Sequence, residues 1–255
     1  MSTYRKEFTF RRDKVTQALN RLQIGILADP DCFVPDIIGV YTAFCDAPNC
    51  DIHFLWKHTN PQKNTESSGI VHPFPIHATT TFADCPQNLD VLCVGASTPN
   101  LWSDEETLAF LADRGGRAKY IIGICGGSLT LAAAGLLTGY RATTNFQAIE
   151  ALAPFGAIPV AGGHVVVDRN RFTAGPVTGS FEAGLMVLAE LRGEEAAKEA
   201  ELTMEYAPHP PFGTGSPELA GPELTQKLMQ RYEPFVNQFG AMLQKAAERL
   251  MITKA

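Results

Sequence analysis

Apolar residues along the chain fall into short continuous runs separated by longer stretches in which they recur every three or four positions. The runs Gln23–Leu27, Leu89–Val94 and Tyr120–Ile124 predict buried core strands, and Asp51–Trp56 predicts a further strand. Between them, Val34–Phe44 predicts a helix with Pro35 and Asp36 in its opening turn. Ser103–Ala112 predicts another, with Ser103 as its cap and acidic residues at its first turn. The Ala/Leu-rich run after Cys125 predicts a buried helix that continues the strand before it. Further on, Arg141–Thr144 reads as a short strand, Asn145–Ala153 as a helix, and Phe181–Leu191 as another helix. His164–Asp168 and Arg171–Ala174 flank Arg169-Asn170 as a hairpin, and Gly69–Thr81 reads as edge structure held there by Pro73 and Pro75.

Alternation of this kind predicts an α/β fold, a flavodoxin-like three-layer sandwich whose mostly parallel sheet carries helices on both faces. In such sheets ligands bind beyond the carboxyl ends of the strands. Asp36, Gly95, Cys125 and the Gly175–Ser180 loop all follow predicted strands, so one crevice is expected to gather them. Three segments are expected: an N-terminal extension over residues 1–21, the α/β domain over 22–220, and an amphipathic helical tail over 221–255. The tail repeats Leu224, Leu228, Met229, Tyr232 and Phe235 at helical spacing, bends at Pro234, and packs on the body or across a dimer.

Composition narrows the chemistry. A net charge of −6 and 19% charged residues give no basic footprint, so no nucleic-acid partner is expected. The start of the chain is charged in both signs with no apolar run behind it, and no run reaches membrane-spanning length, which predicts a cytoplasmic protein without a membrane partner. Six widely spaced cysteines read as free thiols rather than a disulfide framework. The Cys45/Cys50 pair has no second pair to complete a zinc site, and the six histidines show no ligand spacing, so no metal is expected.

The centre of the pattern is Tyr120-Ile-Ile-Gly-Ile-Cys125-Gly-Gly-Ser128, a strand turning straight into a helix. Gly126 and Gly127 permit the sharp turn, and the first free N–H groups of the helix favour negative charge beside the thiol. A helix N-terminus contributes only about 0.3–1 kcal/mol to an anion, so a reactive thiolate needs a second partner. Two readings stand together here: a nucleophile at an elbow, or a buried cysteine acting as a small hydrophobe. Asp36 is open in the same way, as a helix-start carboxylate or as that second partner. Ser128 reads as a helix-start hydroxyl, and Glu182 and Glu205 as exposed carboxylates.

Gly123 to Thr144, Thr173 to Thr178 and the segment Met204-Glu-Tyr-Ala-Pro-His-Pro-Pro-Phe-Gly-Thr-Gly-Ser-Pro217 resemble the isonitrile hydratase branch of the ThiJ/PfpI superfamily. The resemblance runs from about Gln23 to Pro217. It implies a homodimer with no cofactor, in which Cys125 is the nucleophile and Asp36 its acid/base partner. Backbone N–H groups near Gly95 and Gly126 would hold developing charge, and Ala96, Gly127, Asn145 and Thr178 would line the pocket. The implied reaction adds water to a small apolar isonitrile and yields an N-substituted formamide through a thioimidate on Cys125. Competing activities in the superfamily are a glyoxalase or deglycase acting on 2-oxoaldehydes, and a non-catalytic cysteine redox sensor or binding protein.

The chain departs from the family pattern at three places. Gly126 stands where isonitrile hydratases typically have Thr, Asn145 where a His often follows Thr-Thr, and Gly95-Ala96 where a Gly-Gly is usual. PfpI-type peptidases carry a His directly after the cysteine, so Gly126 argues against a Cys-His peptidase.

Overall fold

The computed structural model describes residues 20–60, 74–161 and 164–254. The expected N-terminal extension therefore lies almost wholly outside the described residues, as does the first half of the Gly69–Thr81 segment. Nine strands and six α-helices are described. Strand β1 (Leu22–Leu27) leads into helix α1 (Pro35–Cys45), then β2 (Cys50–Trp56), the two-residue β3 (Thr80–Thr81) and β4 (Val91–Val94). Helix α2 (Glu105–Arg117), β5 (Tyr120–Ile124) and the short α3 (Gly127–Ala133) follow. Next come β6 (Arg141–Ala142), a 3-10 helix over Phe146–Phe155, β7 (Ile158–Pro159), β8 (Val166–Asp168) and β9 (Arg171–Ala174). Helices α4 (Gly179–Arg192), α5 (Glu194–Thr203) and α6 (Pro217–Lys254) complete the chain.

Seven strands form the main sheet in the order β3-β2-β1-β4-β5-β9-β8, parallel except for the terminal β8/β9 hairpin. The chain reverses its direction of growth between β1 and β4. In doubly wound sheets that switch point opens a crevice at the strands' carboxyl ends, and here α1 starts beside it. Side chains alternate across the sheet into two cores. One packs Ile24, Ile122, Ile124 and Phe172 against Ile37, Val40 and Phe44 of α1 and Ala183, Val187 and Leu188 of α4. The other packs Leu27, Leu55, Leu92 and Ile121 against Leu108 and Leu111 of α2, Leu129 and Leu131 of α3, and Leu243, Ala246 and Ala247 of α6. The mostly parallel, doubly covered sheet expected from the sequence is thus present.

Several local expectations need correction. The cap of α2 is Asp104, whose carboxylate accepts from the Thr107 N–H at 3.2 Å, while Ser103 ends a 3-10 turn over Pro99–Ser103. The Asn145–Ala153 helix is 3-10 and kinks at Ala148. The tail departs from helical geometry at Gly221 (φ 78°), just before Pro222, and Pro234 sits inside the helix. The proline ring fixes φ near its helical value and removes one N–H without requiring a break, whereas Gly221 takes up a left-handed φ that L side chains resist. Helix α5 went unread because its Glu/Ala-rich sequence buries no residue and so shows no apolar stripe.

Candidate active site

The elbow forms as the sequence requires. Strand β5 ends at Ile124, and Cys125 takes φ 54°, a left-handed conformation that costs a non-glycine residue about 1–3 kcal/mol. Three hydrogen bonds hold it there: its N–H donates to the Ala174 carbonyl at 2.9 Å, and its carbonyl accepts from the Ser128 N–H at 3.1 Å and the Thr144 hydroxyl at 2.5 Å. Gly127 explains why a glycine must follow. A Cβ there would lie 2.0 Å from the Val94 carbonyl oxygen, inside any van der Waals contact. Cys125 packs against the apolar cluster that contains Cys32, Ile37, Ile124 and Ala174.

Asp36 reaches the thiol from α1. Its side chain caps nothing: the N-cap position is Val34, which makes no side-chain cap bond. The helix-start reading of Asp36 therefore fails, and its fully buried carboxyl serves other elements. Oδ1 accepts the Val177 N–H at 2.8 Å, Oδ2 accepts the Ala96 N–H at 3.0 Å, and the carboxyl lies close enough to the Cys125 thiol for each to shift the other's titration. The close crossing of α1 and α4 makes this reach possible. A Cβ on Gly39 would sit 2.3 Å from the Phe181 nitrogen, so only glycine lets α1 settle against the start of α4. The Gly39 N–H then donates to the Ser180 hydroxyl at 3.1 Å, and that hydroxyl donates to the Val177 carbonyl at 2.5 Å. Val177 itself has φ 56°, a rare conformation for a β-branched residue, so two strained residues converge on one carboxyl–thiol pair.

The electrostatics follow from burial. Loss of solvent raises the Asp36 carboxyl to about 6 against the pull of the Val177 and Ala96 N–H groups and of the Cys125 thiol. Burial and the neighbouring Asp36 charge push the Cys125 thiol well above its ordinary value, with the Gly126 N–H opposing them. At neutral pH the pair therefore carries one proton and one negative charge, and the proton's place within the pair is a property of both groups together.

The remaining expected residues fall around this pair. The Ala96 N–H is committed to Asp36, and the Gly126 N–H favours charge on the sulfur. Gly95 lies where a Cβ would approach the Asp36 Cβ to 3.0 Å, so it admits α1 to the sheet end. Ala96 and Gly126 are neighbours, since a Cβ on Gly126 would lie 3.3 Å from that of Ala96. Asn145 is linked to the elbow through Thr144: its Oδ1 lies 3.0 Å from the Thr144 hydroxyl oxygen while its Nδ2 donates to the Gln147 Oε1 at 3.0 Å. Thr178 is exposed, and the residue that touches Asp36 is its neighbour Val177. Sequence reading missed Val177 because a backbone N–H leaves no mark in residue type. Glu182 accepts from the Tyr206 hydroxyl at 3.4 Å, away from the pair. No group of three or more His, Cys, Asp and Glu suited to a metal occurs among the described residues.

The DJ-1/PfpI family profile matches residues 49–190, which include β4, β5 and the elbow. The chain belongs to the DJ-1/PfpI family. It is 39% identical over 231 residues to the isonitrile hydratase of Pseudomonas putida, covering 90% of this chain and 98% of that protein. The crystal structure of a ThiJ/PfpI family protein from Pseudomonas syringae superposes with a TM-score of 0.80 at 36% identity, over 95% of this chain and 98% of that one. Drosophila melanogaster DJ-1beta, at 17% identity, shares the fold with a TM-score of 0.59 over 74% of this chain and all of that one. The resemblance to the isonitrile hydratase branch thus holds over nearly the whole chain. No helix among the described residues is long and apolar enough to cross a membrane.

Proposed function

We propose that the protein hydrates isonitriles, R–N≡C, to N-substituted formamides by covalent catalysis at Cys125. The observation that carries this reading is the buried Asp36 carboxyl set beside the elbow thiol and interacting with it electrostatically, in a chain similar to an isonitrile hydratase over nine-tenths of its length. An isonitrile accepts a nucleophile and a proton at the same terminal carbon, so one thiol and one adjacent acid suffice. With the shared proton on Asp36, the Cys125 thiolate attacks that carbon, and Asp36 delivers the proton to it. The product is a thioimidate, R–N=CH–S–Cys125.

In the second half Asp36, now a carboxylate, takes a proton from water as the oxygen attacks the imidate carbon. Asp36 passes that proton to the nitrogen, then takes the proton of the adduct's hydroxyl as the C–S bond breaks, and the formamide leaves, with the thiolate and the protonated carboxyl restored. Each atom of one water ends in the product, and no electron is gained or lost overall. No strong oxyanion develops in the first half, which suits a site where the Ala96 N–H is already committed to Asp36.

The direct test is formamide production from an aryl isonitrile, followed by chromatography. Wild-type turnover with a loss of at least about 100-fold in both Cys125→Ser and Asp36→Asn is the expected result. No turnover by wild type, with turnover of methylglyoxal instead, contradicts it.

A further inference from the structure

A second carboxyl lies buried at the same end of the sheet. Asp29 follows β1, is only 3% exposed, and forms no ion pair with any described residue. Charged side chains are almost never buried this deeply without a cation. Its Oδ1 accepts the Ser97 hydroxyl at 2.6 Å and the Asp31 N–H at 3.0 Å. Burial raises it to about 6. The fold thus tolerates a group that is unfavourable when ionised.

Ser97 closes the turn that follows β4, and that turn is the one against which Asp36 is placed. Within it the Ala96 N–H donates to Asp36 Oδ2 at 3.0 Å, the Ala96 carbonyl accepts the Phe33 N–H at 2.7 Å, and the Ala96 methyl faces Gly126. Residues 95–97 lie outside regular structure, since β4 ends at Val94 and the next 3-10 turn opens only at Pro99, so side-chain grips such as that on the Ser97 hydroxyl add to the packing of Gly95 against Asp36 and Ile37. We infer that Asp29 is a positioning residue: by gripping the Ser97 hydroxyl it fixes the Gly95–Ser97 turn, so that the Ala96 N–H holds Asp36 against Cys125. The inference rests on the hydratase reading for its kinetic consequences and on geometry alone for its effect on the thiol.

The test measures steady-state kinetics on an aryl isonitrile for Ser97→Ala, Asp29→Leu, Asp29→Asn and the Ser97→Ala/Asp29→Leu double variant. Ser97→Ala and Asp29→Leu are expected to lower kcat about tenfold with KM moved by less than about twofold. The double variant is expected to be no worse than the poorer single one, as for two halves of one interaction. Asp29→Asn keeps an acceptor for Ser97 and recovers most of kcat, while melting higher than wild type at about pH 8 because the buried charge is gone. A merely structural Asp29 would make melting temperature and kcat fall together. Should Asp29→Leu fail to fold, Ser97→Ala removes a single oxygen and decides the matter alone.

Unchanged kcat in Ser97→Ala, or losses that multiply in the double variant, overturn the inference. If wild type forms no formamide, the hydratase reading fails separately, and the rate of Cys125 alkylation by iodoacetamide takes over. An alkylation rate in Ser97→Ala that moves away from wild type in the same direction as in Asp36→Asn supports the positioning role. A rate equal to wild type overturns it.

Discussion

Asp36 and Cys125 share one proton, and their pH dependence follows from that. Below about pH 6 the carboxyl gains a proton of its own, the pair holds two, and the thiolate form disappears. Above it, the single shared proton is held strongly because the Asp36 charge keeps the thiol high. The profile of kcat/KM for isonitrile is therefore expected to rise with unit slope to a midpoint near 6 and then stay flat through the range where an ordinary thiol, about 8.5, ionises. A second rise near 8.5 would show that the thiolate is made by simple ionisation rather than by transfer within the pair. Asp29 obeys the same physics with a different consequence. Its folded value, about 6, lies above the unfolded one, so the folded state binds the proton more tightly. Stability is then highest below the unfolded value and falls as pH rises through about 4 to 6, by an amount on the order of 3 kcal/mol. Asp29→Asn should raise the melting temperature at about pH 8 and leave it unaltered at about pH 4.

At the scale of elements, the site depends on how closely α1 and α4 approach. Gly39 is the contact point, and its N–H is tied through the Ser180 hydroxyl to the carbonyl of strained Val177. Gly39→Ala would place a methyl 2.3 Å from the Phe181 nitrogen, so the helices must part. Overpacking of this kind costs about 1–3 kcal/mol. Since Asp36 rides on α1 and the Val177 N–H precedes α4, the same separation should lower kcat by more than tenfold. Melting curves and formamide kinetics on one preparation check both; a stable variant with full activity would refute the role given to the crossing. Much of this architecture was legible in sequence. The apolar runs at Gln23–Leu27, Leu89–Val94 and Tyr120–Ile124 give the strands because parallel strands are buried on both faces. The thiol and its two following glycines mark the elbow, since Cys125 needs its turn and Gly127 has no room for a Cβ. Asp36 was ambiguous, because a carboxylate in a helix's first turn looks the same whether it caps or reaches elsewhere. Val177 and the Asp29–Ser97 grip were illegible, since both act through contacts between residues more than 65 positions apart.

The whole molecule is a doubly wound sheet whose switch point, between β1 and β4, lies beside the strand that carries Cys125. Its crevice draws Asp36 from α1, the Ala96 turn from β4, the thiol from β5 and the Val177 loop from β9, so no contiguous stretch of chain could assemble it. The body's helices cover both faces of the sheet, and α6 closes one core with Leu243, Ala246 and Ala247 while its Phe239 meets Trp102 edge-on at 6.4 Å. This scaffold accounts for the strain at Cys125 and Val177: residues held from several elements keep conformations that isolated loops would lose. Its central claim is that the reaction passes through a covalent thioimidate on Cys125. The measurement is intact-protein mass after acid quench of the enzyme turning over an aryl isonitrile, followed by peptide mapping. The account predicts a mass gain equal to one whole isonitrile, located on the peptide containing Cys125 and absent in Cys125→Ser. Full formamide turnover with no adduct at Cys125 at any quench time would contradict it.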